Sequence, residues 1–197
     1  MMRTVLAVLF ALSAWIAPAH AQPRTEVAIF AGGCFWCMEK PFDDIPGVIS
    51  TTSGFTGGSV RSPSYEQVMT RTTGHVEAVR VEFDPTRVTY GRLLAVYWGE
   101  IDPTDPDGQF CDRGAPYRTG IFATTTAQLA AANASKAELE RRKPFTAPIV
   151  TPVRFAGDFW PAEEYHQDYY KKNPARYALY RSGCGRDARL RQLWGPR

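Results

Sequence analysis

Residues Gly32-Gly33-Cys34-Phe35-Trp36-Cys37 follow a short apolar segment, Glu26 to Ala31, and lead into a stretch with helical character that reaches about Phe42. Read along the chain, this is a strand, a tight turn and a short helix interrupted at Pro41, with a thiol at the junction. A cysteine at a helix N-terminus faces free backbone N–H groups and the positive end of the helix dipole, and both favour its thiolate. Phe35 and Trp36, directly after it, can wall a small apolar pocket. The hexapeptide therefore reads as a nucleophile with its substrate site attached.

The first residues set the boundaries of the fold. Arg3, the apolar run Val5 to Ile16, Pro18 and the ending Ala19-His20-Ala21 have the pattern of a secretory signal peptide, residues 1–21. The run is too short to span a membrane as a helix. The expectation is one exported domain, residues 22–197, working in the periplasm as a monomer with no membrane insertion. The full chain carries 23 Lys and Arg against 20 Asp and Glu, and the signal takes one basic residue with it. So small an excess gives no reason to expect a nucleic-acid partner. All four cysteines, Cys34, Cys37, Cys111 and Cys184, lie in the exported part. In an oxidising compartment four cysteines ordinarily form disulfides, with three possible connectivities.

Strands and helices alternate. Val48 to Phe55 and Val76 to Phe83 read as strands, the second alternating and closed by Asp84-Pro85. Thr89 to Glu100 has helical apolar spacing. Asp102 to Tyr117, with three prolines and two glycines, reads as a long surface loop of the kind that tends to be functional. A strand from Arg118 to Ala123 precedes a helix that starts at a Thr125-x-x-Gln128 capping box and ends near Lys143. Ile149 to Phe155 is a further strand, at a sheet edge because of Pro152. The tyrosine-rich tail from Glu163 is helical or irregular. The expected fold is a two-layer α/β (α+β) domain with a mixed central sheet and flanking helices.

Chemistry concentrates at a few positions. If Val76 to Phe83 is extended, Glu77 shares a face with Val79, Val81 and Phe83. A carboxyl group on an apolar face is costly to bury ionised, so its pKa rises and it can serve as a general acid near neutral pH. Tyr65 follows a glycine-rich turn and Tyr117 closes the long loop; phenols so placed can hydrogen-bond a polar substrate oxygen. Asp112 can orient partners or simply make an Asx-turn. His75 and His166 do not fall at metal-ligand spacing with a cysteine pair, so no zinc site is expected.

Taken together, Gly32-Gly33-Cys34-Phe35-Trp36, Gly47-Val48, Gly54-Phe55-Thr56-Gly57-Gly58, Pro63-Ser64-Tyr65, Gly74-His75-Val76-Glu77-Ala78-Val79, Asp112-Arg113-Gly114 with Tyr117-Arg118, and Ala162-Glu163-Glu164-Tyr165-His166-Gln167 resemble the A-type peptide methionine sulfoxide reductases. The order and spacing agree over residues 27–170. The resemblance implies reduction of the S epimer of methionine sulfoxide, free or in oxidised proteins, without a metal or organic cofactor. It implies Cys34 as the nucleophile, Phe35 and Trp36 around the substrate methyl, and Glu77 as the acid. Tyr65, Tyr117 and Asp112 complete the hydrogen-bonding network around the oxygen.

Attack on the sulfoxide leaves a sulfenic acid that a second thiol must resolve. Cys37, three residues after Cys34 where many relatives have glycine, lies on one side of the helix with it. Cys184, in a glycine-flanked tail, is the other candidate; Cys37 is placed ahead of it and Cys111 is read as structural or incidental. Phe55, where tyrosine is usual, and Ala115-Pro116 are further departures. The recycling partner is expected to be a thioredoxin-like, membrane-linked periplasmic dithiol. The competing reading is a thioredoxin-like thiol–disulfide oxidoreductase using Cys34-x-x-Cys37.

Overall fold

The structure, a computed structural model, describes residues 25–196; the expected signal peptide lies outside them. The first strand, β1 (Glu26–Gly32), leads through the cysteine turn into α1 (Phe35–Asp43), which tolerates Pro41 near its end. Next come β2 (Val48–Thr56), the short α2 (Tyr65–Met69), β3 (Val76–Phe83) and α3 (Tyr90–Gly99). The two-residue β4 (Gly108–Gln109) and β5 (Asp112–Arg113) pair with each other, and a 3-10 turn spans Ala115–Tyr117. After β6 (Thr119–Ala123) and α4 (Thr126–Arg142) come the edge strands β7 (Val153–Phe155) and β8 (Phe159–Pro161). The tail holds α5 (Tyr169–Lys172), α6 (Pro174–Gly183) and α7 (Arg186–Trp194). Among the described residues no helix is long and apolar enough to cross a membrane.

One six-stranded sheet, in the order β7-β6-β1-β3-β2-β8, organises the domain. It is mixed: β7 runs parallel to β6, and the other pairs are antiparallel. As the alternation of β3 requires, Val79, Val81 and Phe83 join Phe30, Phe42, Leu93 and Leu94 in the main core on one face. Val76 and Ala78 join Ile29, Ala31 and Phe122 on the other. Helices α1, α3 and α4 contribute Phe42, Leu93 and Ala132 to the main core, giving the expected two layers. Tyr97 ties the centre together, its buried hydroxyl donating to Ala31 O (2.8 Å) and accepting from Gly120 N (3.1 Å).

The structure departs from the sequence reading in several places. The strand expected from Ile149 is only Val153–Phe155, at the sheet edge, because Pro152 has no N–H and only its carbonyl joins the ladder, accepting from Ile121 N. The capping box at Thr125 is half made. Thr125 accepts from Gln128 N, but the Gln128 side chain turns to Val27 O and Thr124 instead of the Thr125 backbone. The full reciprocal box occurs at Ser64 and Gln67, on α2, which five residues of weak periodicity conceal. The long loop is folded rather than open: Gln109 is buried, its side chain bridging Asp102 N and Asp102 O.

Candidate active site

The two glycines before Cys34 are dictated by space and torsion. A Cβ on Gly32 would fall 2.6 Å from Met38 Sδ, and one on Gly33 would fall 2.6 Å from Gln109 Cβ. Gly33 also has φ +79°, a left-handed conformation that side chains disfavour. With that turn in place Cys34 becomes the N-cap of α1, and its carbonyl accepts from Cys37 N at 3.0 Å. Both thiols are free and buried.

Directly behind Cys34, the Phe35 N–H, one of the unpaired donors of the helix start, points at Glu77 Oε2 (2.9 Å). Glu77 is 1% exposed and occupies the apolar face of β3, as its spacing requires. Burial pushes its carboxyl well above the usual carboxylate range, against the opposing bond from Phe35, and the nearby Asp112 and Cys37 add to the rise. Glu77 is thus a carboxyl that keeps its proton beside the thiol.

Cys34, Phe35, Trp36, Tyr65, Glu77, Asp112, Tyr117 and Tyr180 line one cavity of about 100 Å³. Pockets for drug-sized ligands run to several hundred Å³, so only a small head group enters here. Each of the candidates named from the sequence therefore lines this cavity except Cys37, buried three residues along α1 from Cys34, and Cys184, whose Sγ lies 3.8 Å from Asp112 Oδ2. Trp36 stacks on Tyr169 (centroids 3.7 Å apart, planes at 6°) and donates its indole N–H to His166 Nδ1 (3.1 Å). Phe35 packs between Phe55 and His166. Tyr65 is set by the N-terminus of α2, where Glu163 caps its N–H (2.9 Å), and its ring lies against His166. The Tyr117 hydroxyl meets Met69 Sδ at 3.2 Å. Burial pushes the Tyr65 phenol up to about 12 and the Tyr117 phenol higher still, so both remain proton donors.

The thiols correct the sequence expectation for Cys34. Burial drives the Cys34 thiol well above its usual value, and the Cys37 hydrogen bond and the acidic neighbour Glu77 push the same way; Tyr180 opposes them. Cys37 falls to about 7, first through its hydrogen bond from Cys34 and then, against its own burial, through the charges of Arg186 and Arg181. Desolvation outweighs the helix terminus at Cys34. Of the two sulfurs, Cys37 is therefore the one that ionises first, near neutral pH.

Cys184 is not a free thiol on a swinging tail. It caps α6 and is bonded to Cys111 (S–S 2.04 Å), 73 positions away. Among the described residues Cys111, Asp112 and Cys184 bring ligand atoms within 4.8 Å of one another, but the disulfide occupies both sulfurs.

Sequence reading missed several contributors. His166 is the aromatic hub behind Phe35, Trp36 and Tyr65, and burial lowers its pKa so that it stays neutral. Its place in the Ala162–Gln167 motif was the only available signal. Tyr180 lines the cavity from α6. Arg186, 1% exposed, donates from Nη2 to Gly32 O and Glu100 O (2.9 Å each) and lies over the Phe110 ring. A guanidinium held by carbonyls behind two cysteines is a fixed positive charge for a thiolate. Among the arginines of the C-terminal helices nothing in the sequence marks Arg186 as a buried one. His75, by contrast, braces a turn, accepting from Gly58 N and bonding Val60 O.

The arrangement can deliver a nucleophilic sulfur, a proton and two phenolic hydrogen bonds to one small polar group. Comparison with known proteins agrees with that chemistry. The family described as peptide methionine sulfoxide reductase matches residues 26–197. A Bacillus licheniformis protein named peptide methionine sulfoxide reductase MsrA is 54% identical over 172 residues, which is 87% of this chain and 95% of that one. The crystal structure of Mxr1 from Saccharomyces cerevisiae in reduced form aligns with TM-score 0.73 at 28% identity, over 81% of this chain and 89% of Mxr1. Mxr1 in complex with Trx2 aligns with TM-score 0.53 over 77% of this chain and 91% of that one, and at 20% identity speaks to the fold.

Proposed function

This chain belongs to the peptide methionine sulfoxide reductase family, and from that membership and the cavity we propose how its residues reduce methionine S-sulfoxide. The protein is an oxidoreductase of the peptide-methionine (S)-S-oxide reductase type, not a simple thiol exchanger. One observation supports the assignment above the others: a buried, proton-holding Glu77 anchored by the N–H of Phe35, immediately next to Cys34.

The substrate methyl lies between Phe35 and Trp36, and the sulfoxide oxygen faces Glu77, Tyr65 and Tyr117. Cys34 gives up its proton within the Cys34–Cys37 pair and its sulfur attacks the sulfoxide sulfur. Glu77 protonates the oxygen, which is a poor leaving group until then. The two phenols stabilise the charge that develops there. Oxygen is transferred to sulfur, so Cys34 becomes a sulfenic acid and methionine departs. Cys37, which took up the Cys34 proton, releases it as its sulfur attacks the sulfenic sulfur; that proton leaves with the departing hydroxide as water, and a Cys34–Cys37 disulfide forms. An external dithiol takes up the oxidising equivalents, becoming a disulfide while Cys34 and Cys37 return to thiols.

Cys37 is preferred to Cys184 as the resolver because it is free, adjacent and easily ionised, whereas Cys184 is already paired. Asp112 serves the network from the cavity wall. The external dithiol is a thioredoxin-like protein; a solved complex of the yeast relative with Trx2 supports that choice. Free and protein-bound sulfoxide are both substrates. Export to the periplasm, inferred from Arg3, the apolar run and Ala19-His20-Ala21, and action there as a monomer with a membrane-linked donor belong to the same proposal. Methionine formation in a single turnover without reductant tests the assignment. Cys34→Ser should form none, and formation by that variant would refute it.

A further inference from the structure

Two links join the same pair of segments at the margin of the cavity. Cys111 is bonded to Cys184. The next residue, Asp112, accepts at Oδ2 from the Tyr180 hydroxyl at 2.5 Å, four positions before Cys184. Positions four apart lie on one face of a helix, and Cys184 N donates to Tyr180 O (2.9 Å), so the disulfide and the hydrogen bond stand one turn apart on α6. Cys184 Sγ is itself 3.8 Å from Asp112 Oδ2. The disulfide therefore clamps the helix that carries Tyr180 against the loop that carries Asp112.

The clamp holds Tyr180 over the nucleophile. Its ring meets Trp36 edge-on with centroids 5.8 Å apart, and it shares the cavity with Cys34 and Glu77. Of the groups around the Cys34 thiol, the Tyr180 hydroxyl is the one that favours its ionised form, as a nearby phenolic donor does. A phenol has one proton to give, and two acceptors compete for it here. Burial raises the Asp112 carboxyl above its ordinary value. The phenol hydrogen rests on Asp112, and negative charge arriving on Cys34 competes with that carboxyl for it, drawing the hydrogen toward sulfur.

We propose that Tyr180 is a third catalytic phenol, the end of an Asp112–Tyr180 hydrogen-bond relay that stabilises the Cys34 thiolate, and that the Cys111–Cys184 disulfide is the clamp that keeps it in place. The proposal rests on Cys34 being the nucleophile. It gives the disulfide a positioning role separate from resolution of the sulfenic acid. It also explains how a thiol raised by burial becomes reactive: negative charge arriving on Cys34 meets a phenol held in the same cavity whose hydrogen can swing from Asp112 to sulfur. Tyr65 and Tyr117 act on the substrate oxygen; Tyr180 acts on the attacking sulfur.

The test is single-turnover methionine formation, without reductant, together with the pH dependence of Cys34 alkylation in a Cys37→Ser background. Tyr180→Phe keeps the ring and its contact with Trp36. It should slow methionine formation about ten- to a hundredfold, the range of a hydrogen bond to a charged group. It should also raise the midpoint for Cys34 alkylation by about one pH unit. A merely structural tyrosine would leave that midpoint unmoved. Cys184→Ser should shift both readouts in the same direction by a smaller factor. An unchanged rate and midpoint in Tyr180→Phe, with Cys34→Ser inactive, would overturn the relay while leaving the nucleophile standing. A Cys184→Ser protein that matches the parent in both readouts would overturn the clamp. Turnover by Cys34→Ser would instead bring down the reading on which the relay depends.

Discussion

The Phe35 N–H donates to Glu77 Oε2 at 2.9 Å across 42 positions of sequence. This bond couples the start of α1, where the nucleophile sits, to the apolar face of β3, where the acid sits. It also sets the orientation of the carboxyl: one oxygen is held by the backbone, and the other is left to carry a proton. A helix N-terminus ordinarily favours a negative group. Here burial prevails, and the carboxyl remains protonated well above its ordinary range.

Glu77→Gln should preserve that bond, because the amide oxygen can take the place of Oε2, yet it has no acidic proton to give. The fold and the Phe35 contact should persist while single-turnover methionine formation falls about 10²- to 10⁴-fold, the usual contribution of general acid catalysis. The parent enzyme should gain rate as the Cys34–Cys37 pair ionises near pH 7 and lose it at higher pH as Glu77 gives up its proton. The variant should lack the alkaline decline. Stopped-time assays from pH 5 to 10 would check both limbs, and a variant with parental rate would contradict the role of the acid.

A second buried carboxyl affects stability rather than turnover. Glu39, 1% exposed on α1, accepts a long bond from Asp168 N (3.4 Å), and burial raises it to about 7 against the opposing Ser53 hydroxyl and that bond. The native state thus holds a proton that the unfolded chain releases near the ordinary carboxylate value. Stability from this group is complete below that value and is lost as pH rises through about 7. The loss amounts to roughly 3 kcal/mol over the interval. Glu39→Gln should flatten the fall in urea midpoint between pH 5 and 8; an unchanged slope would contradict the assignment.

The buried guanidinium of Arg186 is expected to control the resolving thiol. Replacing it in Arg186→Met removes a fixed charge near Cys37 and leaves the Gly32 and Glu100 carbonyls without this donor. The expected outcome is a Cys37 alkylation midpoint moved upward by about one unit and a loss of about 1–3 kcal/mol in stability. Formation of the Cys34–Cys37 disulfide after turnover should slow while the first methionine still appears. An unmoved midpoint would show that Arg186 supports the fold alone.

Local patterns carried most of what the sequence made legible. Glu77 was found because period-two alternation puts position 77 on the face of Val79 and Val81, whatever the rest of the chain does. The cysteine turn was legible because two glycines in a row before a helix start have few other uses. By contrast, Tyr180 and Arg186 gain meaning only when α6 and α7 dock against the cysteine turn, and no local period encodes that docking. The raised pKa of Cys34 was likewise hidden, since the helix terminus is visible in sequence and the depth of burial is not. The pairing of Cys184 with Cys111 spans 73 positions; spacing alone leaves such a choice open.

The most direct test is peptide mapping by mass spectrometry of the protein alkylated after one turnover with methionine S-sulfoxide, without reductant. A new Cys34–Cys37 disulfide should appear in step with methionine, with Cys111–Cys184 intact before and after. A peptide joining Cys34 to Cys184, or a Cys34 left unmodified while methionine accumulates, would contradict the proposed division between reacting and clamping cysteines.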